Sequence, residues 1–170
     1  TMNETEMAEE VVAKEKLGYD LGVAFSGGFI KGATFAKVPT GGTVVLTTPL
    51  SFEVGPFNYT VSIAGGLYSG QNGEDTDTTE VVTFNPLFAG IGGNLLVADL
   101  VFAEGHVGLV GEGAGFRGFA GITLDRLMKK SFDLPFNVLI GGEAFLSSDM
   151  SGNGNASYWA GLGIRFDYAF

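Results

Sequence analysis

From Leu17 to the end of the chain, apolar residues alternate with small or polar ones at a period of two. That spacing places successive side chains on opposite faces of an extended backbone, so each run is predicted as a β-strand with one apolar face. Tyr19, Leu21, Val23 and Phe25 alternate with Asp20, Gly22, Ala24 and Ser26. Val44, Leu46, Leu50, Phe52 and Val54 oppose Thr43, Val45, Thr47, Ser51 and Glu53. After Gly55-Pro56 the chain resumes with Phe57, Tyr59, Val61, Ile63 and Leu67, which reads as a tight hairpin. Val101, Ala103, Val107 and Leu109 oppose Glu104, His106 and Gly108. Phe116, Ala120, Ile122 and Leu124 oppose Arg117, Gly121, Thr123 and Asp125, and Phe132, Leu134, Phe136, Val138 and Ile140 oppose Asp133, Asn137 and Glu143. The last run is the clearest, with Tyr158, Ala160, Leu162, Ile164, Phe166, Tyr168 and Phe170 opposite Trp159, Gly161, Gly163, Arg165, Asp167 and Ala169. Between Val81 and Asp99 a weaker fourth strand is interrupted by Pro86, with Gly92-Gly93-Asn94 and Asp99 as competing turns. The pattern predicts about eight strands.

Only the beginning reads as helix. Asn3-x-x-Glu6 fits a capping box, Glu10 and Lys14 are spaced for an ion pair, and Gly18 sits where a helix would stop. Its apolar stripe is short, Met7 with Val11 and Val12, so the expected division is a tail or short helix over residues 1–16 and one β domain over 17–170. The connectors add an asymmetry. Residues 31–42, 70–79 and 147–155 read as long loops, 55–56 and 129–131 as short turns, and 111–115 is shorter than its place in that order predicts. One rim of tight turns and one of loops is the arrangement of bacterial outer-membrane barrels.

Alternation does not say which face is outside; composition does. Of 170 residues 45% are apolar and only 16% charged, with 28 Gly, 15 Phe and a mean hydropathy of +0.27, against about 25% charged for an ordinary solvated domain. The polar face is built of Gly, Ala, Ser, Asn and isolated charges with almost no Lys, unlike a soluble exterior. Aromatics end the apolar rows: Tyr19, Phe57 and Tyr59 at one end of their strands, Tyr158 at the other end of its own, and Phe166, Tyr168 and Phe170 together at the finish. Aromatics at both rims of an apolar band are what two bilayer interfaces select. The predicted fold is therefore a closed antiparallel up-and-down transmembrane β-barrel, with those seven aromatics as its membrane-facing girdle. Closure follows from chemistry, because in lipid every backbone N–H and C=O needs a partner and an open sheet edge has none. No apolar run reaches the roughly 18 residues of a membrane-spanning helix.

The remaining totals narrow the chemistry. A net charge of −10 excludes a phosphate-backbone partner. The chain has no Cys and one His, which removes disulfides, thiolate sites and multi-His metal centres, so no metal or cofactor is expected. The Gly-rich stretches 90–93 and 111–115 lack the Lys-Ser/Thr of a phosphate loop. The first residues lack a charged start followed by an apolar stretch, which predicts that a secretory leader has already been removed.

The ending Leu162-Gly163-Ile164-Arg165-Phe166-Asp167-Tyr168-Ala169-Phe170 resembles the C-terminal targeting strand of Gram-negative outer-membrane barrels. In pattern and length the rest is similar to small eight-stranded barrels of the OmpX or OmpW kind. That resemblance implies residence in the bacterial outer membrane, insertion by its assembly machinery, and both termini in the periplasm. The bilayer and lipopolysaccharide are the surroundings expected, and an outer face suited wholly to lipid needs no partner subunit, so a monomer is expected.

By parity the lumen holds Asp20, Glu53, Glu104, His106, Asp125, Asp133, Glu143 and Asp167, with Arg117 and Arg165 as inward cations. Charges in a narrow interior must pair or stay wet, so an internal ion-pair network is expected. Small inward residues (Gly22, Ala24, Ala64, Gly66, Gly161, Gly163) leave room for a narrow, cation-preferring path. The leading functional expectation is a narrow passive channel for small or hydrophobic solutes, without enzymatic activity. A structural or surface-interaction barrel would instead act through outer loops, such as the acidic one carrying Glu74, Asp75 and Asp77. A lipid-modifying enzyme would rest on His106 with the nearby Glu104.

Overall fold

In a computed structural model of the chain, residues 18–32, 35–72, 82–98, 100–124 and 134–170 are described. They form strands β1 (Asp20–Lys31), β2 (Phe35–Val54), β3 (Phe57–Asn72), β4 (Val82–Phe84), β5 (Leu87–Val97), β6 (Val101–Val110), β7 (Gly113–Thr123), β8 (Asn137–Ser147) and β9 (Ser157–Ala169). Every pairing is antiparallel, and β1 closes the ring by pairing with β9 from Asp20↔Ala169 to Lys31↔Trp159. Along β3, β5 pairs with Tyr59–Leu67 and β4 with Gly70–Asn72, so these two share one place in the wall, broken at Asn85-Pro86. Pro86 has no N–H to give the ladder, while its carbonyl accepts from Tyr68 N at 3.1 Å. The result is a closed eight-stranded antiparallel up-and-down barrel.

The region between Val81 and Asp99 resolves into one strand running straight through Gly92-Gly93-Asn94, with its turn at Ala98 and Leu100, where Leu100 N donates to Val97 O at 3.1 Å. Ala98 adopts a left-handed φ of 52° there. One connector differs from expectation. Residues 35–42 belong to β2, whose ladder with β1 runs from Asp20↔Thr47 to Gly27↔Thr40, so most of the loop predicted over 31–42 is strand. The short turn expected at 129–131 lies outside the described residues. Residues 125–133, the acidic loop with Glu74, Asp75 and Asp77, and the helix expected over 1–16 lie outside the described residues.

The apolar rows face outward. Phe25, Val44, Ile63, Leu67, Ile91, Val107, Ile140, Leu162 and Ile164 are all exposed on the wall, whereas Arg165 and Asp167 on the other face of β9 are buried. An 11-residue strand tilted by about 40° rises roughly 28 Å, which is the height of β5, β7 and β8. At the end holding the start of β1 and the finish of β9, Tyr19 stacks on Phe170 at 6.1 Å, Phe170 on Tyr168 at 6.5 Å, and Phe166 meets Phe136 edge-on at 5.9 Å. The half-buried Tyr59 lies over Gly93, and Tyr158 is exposed near the opposite end.

β2 and β3 are longer than the barrel is tall. A two-residue register slip between Thr47↔Ser62 and Ser51↔Thr60 sends them past Asp20, where β1 begins, as a two-stranded ribbon closed at Gly55-Pro56. This corrects two expectations. Glu53 keeps inward parity but is exposed, because at its level the wall has ended and there is no lumen to face. Phe57 pairs with Val54 on the ribbon, past the level where β5 joins β3, and so stands beyond the aromatic rim rather than within it.

Glycines let neighbouring strands and rings approach. A Cβ at Gly92 would run into the Gly105 carbonyl oxygen and lie 2.8 Å from the His106 Cα. Replacing Gly92 by Val is expected to destabilise the barrel by roughly 1–3 kcal/mol through overpacking, read as a lower urea midpoint of the refolded protein in detergent.

Candidate functional site

The inward face is packed in layers along the barrel axis. At the end carrying the termini of the barrel, Asp20, Thr47, Asn94, Asn137 and Asp167 line an open recess of about 220 Å³. Asn94 Nδ2 donates to Thr47 Oγ1 at 3.0 Å and Thr123 Oγ1 donates to Asn137 Oδ1 at 2.7 Å. Its floor is formed by Phe102 and Leu139, packed with Phe119, and by Arg165, whose guanidinium lies 4.8 Å from the centre of the Phe102 ring.

Above this floor sits the ionic centre. β6 brings Glu104 to the axis, where one carboxylate oxygen accepts from Arg117 Nη1 at 2.5 Å and the other from Arg165 Nη1 at 2.5 Å. Each arginine then reaches a second acid: Arg117 Nε to Glu143 at 2.6 Å and Arg165 Nε to Asp167 at 2.6 Å. Five side chains on four strands thus form one chain, Glu143–Arg117–Glu104–Arg165–Asp167, with the guanidiniums serving as donors at two edges each. Glu143 also accepts from Ser26 Oγ, from Tyr68 Oη at 2.9 Å and from Thr43 Oγ1 at 3.5 Å. The carboxylates are stabilised in this narrow space because each meets at least one guanidinium donor and Glu143 meets three hydroxyls besides.

His106 lies beside this chain and is fully buried. Its Nδ1 is 3.3 Å from Arg117 Nη1 and 3.8 Å from Glu104, and its Nε2 is 2.9 Å from Ser62 Oγ. Arginine has only donors, so Nδ1 accepts from Arg117 and the ring proton sits on Nε2, donating to Ser62. In that tautomer the imidazole presents an N–H rather than a lone pair to the Ser62 hydroxyl. Ser62 is also fully buried. Among the described residues no three His, Asp or Glu side chains gather as metal ligands.

The last layer, toward the β6–β7 and β8–β9 connections, is aromatic. Trp159 and Phe145 stack at 4.3 Å, Tyr68 meets Phe145 edge-on at 4.8 Å, and Phe88 meets Phe145 at 5.7 Å, with Val45, Ala64, Val110 and Met150 completing the cluster. Thr43 and Tyr68 share a hydrogen bond of 2.6 Å that joins this layer to the ionic one.

Of the ten residues expected in the lumen, Glu104, His106, Arg117, Glu143, Arg165 and Asp167 are brought together in the network, Asp20 lies at the recess, Glu53 is outside on the ribbon, and Asp125 and Asp133 fall outside the described residues. The room expected over the small inward residues is taken up by side chains. A Cβ at Gly22 would stand 2.6 Å from an Arg165 guanidinium nitrogen and against Asp167; at Gly66 it would stand 2.7 Å from the Thr43 hydroxyl. The interior rings Tyr68, Phe88, Phe102, Phe119 and Phe145 were not read from the sequence. Parity counted from the charged residues would have found them, since Phe102 precedes Glu104 by two and Phe145 follows Glu143 by two.

Comparison with family models, with curated proteins and with solved structures gives no match.

Truncating Glu104 to Ala leaves the Nη1 of two buried guanidiniums without its acceptor and is expected to cost about 3–5 kcal/mol of stability, measured by urea unfolding of the folded barrel, whereas Glu53→Ala on the exposed ribbon leaves the midpoint nearly unchanged.

Proposed function

We propose that this chain is an integral β-barrel of a bacterial outer membrane, sealed by its own side chains, that acts as a lipid-embedded structural or surface-interaction protein through the connections at the β6–β7 and β8–β9 end. The observation that carries this reading is the inversion of the barrel: the apolar residues lie on the outer wall while Arg117, Arg165, Glu104, Glu143 and His106 are buried within. Water solvates an ionic face and lipid an apolar one, so a continuous belt of exposed Leu, Ile, Val and Phe around a charged interior fits a bilayer as solvent. The aromatic rings near both ends of the belt support the same placement.

On this reading the outer wall contacts lipid and lipopolysaccharide, the alternating last strand is the segment that engages the outer-membrane assembly machinery, the start of β1 and the finish of β9 face the periplasm, and the barrel stands as a monomer. A narrow passive channel for small or hydrophobic solutes is the second reading. It is favoured by the polar recess, which leads inward from one end. To conduct, the barrel would have to part both the Phe102–Phe119–Leu139 cluster and the Trp159–Phe145 layer. A lipid-modifying enzyme is less well supported, because His106 and Ser62 are closed off from lipid on every side.

Two measurements test this. Leu162, 65% exposed in the middle of the belt, is replaced by Arg: a lipid-facing site is expected to lose roughly 2–4 kcal/mol of folding free energy in vesicles, while a water-facing one would change little. Planar-bilayer recordings of the purified chain are expected to show no conductance steps. Small, cation-preferring steps would replace the sealed reading by the channel.

A further inference from the structure

The β8–β9 connection closes the aromatic end of the barrel with one side chain. Residues 152–156 are exposed, yet Met150 is 2% exposed and belongs to the cluster of Trp159, Phe145, Phe88 and Tyr68. The loop is tied to its surroundings only near its β8 root. Ser147 Oγ donates to Val110 O at 2.6 Å, Ser148 N to Ala114 O at 2.9 Å, and Glu112 N to Asp149 O at 3.1 Å. Beyond that point the hydrogen bonds stay inside the loop: Gly152 N to Asp149 Oδ1 at 2.8 Å, Asn155 N to Asn153 Oδ1 at 3.1 Å, and Met150 N to Asn155 O at 3.4 Å. Gly152 and Gly154 adopt φ of 80° and 76°. On the outer side an open groove of about 400 Å³, lined by Ala114, Phe116, Leu146, Ser148, Ala156 and Tyr158, runs beside the root of the loop.

We propose that residues 150–156, beyond the root anchored at Ser148 and Asp149, form a lid latched by Met150, which swings as a unit and uncovers the aromatic layer from this end while the ionic centre beneath stays shut. A segment held over the mouth by one buried apolar side chain, with its remaining bonds internal, opens at a small fraction of the cost of unfolding the wall. Methionine suits such a latch, since its unbranched thioether packs among rings without a fixed shape. The lid concerns this end alone and stands whichever reading of the barrel's function holds.

The chain carries one tryptophan, Trp159, and no cysteine, so the layer under the lid has its own reporter and a cross-link can be introduced without competitors. A Cβ built at Gly152 stands 3.5 Å from Glu112 Cγ, where a cysteine sulfur at 112 would lie, so the two positions can be bridged at the cost of a side chain at a left-handed φ. In the Glu112→Cys/Gly152→Cys chain, folded in detergent, acrylamide quenching of Trp159 fluorescence is expected to fall when the disulfide forms and to return on reduction. Met150→Ser is expected to raise quenching and shift the emission to the red, and Met150→Leu to restore both. Heat-modifiable migration on gels verifies that each barrel is folded. Equal quenching in the oxidised and reduced chain overturns the lid and makes the loop a fixed part of the wall, and that comparison decides the matter even if Met150→Ser does not fold.

Discussion

Everything inside this barrel is organised by the pairing of Glu104 with two guanidiniums. A ring of eight strands encloses a lumen about as wide as its own side chains, so a charge placed there has no bulk water to fall back on. Glu104 answers for both Arg117 and Arg165, and each arginine answers for a further acid. The five groups come from β6, β7, β8 and β9, so the chain of charges fixes the azimuth of half the wall. Closure of the sheet and satisfaction of its contents are therefore one requirement: the register that joins β1 to β9 also brings Asp167 and Gly22 to the same level, where the absent Cβ leaves space for the Arg165–Asp167 pair.

The alternation revealed the wall well and the filling poorly. β1, β3, β6, β7 and β9 were legible because each keeps strict parity over eight or more residues, and a slip of one would turn a whole row from lipid-like to charged surroundings. The beginning of β2 was hidden because Gly, Thr and Pro between Lys37 and Gly42 read as a loop, although the ladder with β1 from Thr40 on and the ladder with β3 from Phe35 on hold them as strand. Glu53 was placed by parity where parity no longer matters, since a strand that outlasts its neighbours has two outer faces. Leu139 and the inner phenylalanines escaped because residue type was used to assign faces, and an apolar residue on the inner face looks like an exception until the charges above and below it are used as the reference.

The two apolar layers do different work from the ionic one. They flank it, Phe102, Phe119 and Leu139 on one side and the Trp159–Phe145 stack on the other, and so keep water from competing with the ion pairs from either end. A low local dielectric strengthens satisfied pairs and raises the cost of an unsatisfied one, which makes the centre rigid and intolerant of truncation. The same layering explains why small inward residues do not by themselves imply a cavity: Gly22 is the recess that the Arg165–Asp167 pair occupies, Gly66 lies against Thr43 and the Tyr68 ring, and Gly161 lets the backbone of β1 approach.

The ribbon formed by β2 and β3 gives the molecule unequal sides. Its outer face continues the apolar row through Leu50, Phe52 and Val54, well past the level at which β6 and β7 have already turned. In the bilayer proposed as its surroundings, a slab of one thickness, a cylinder whose greasy surface is taller along one flank wets best when its axis leans. On that proposal the overlong hairpin supplies a preferred tilt, and with it a fixed orientation for the opposite mouth.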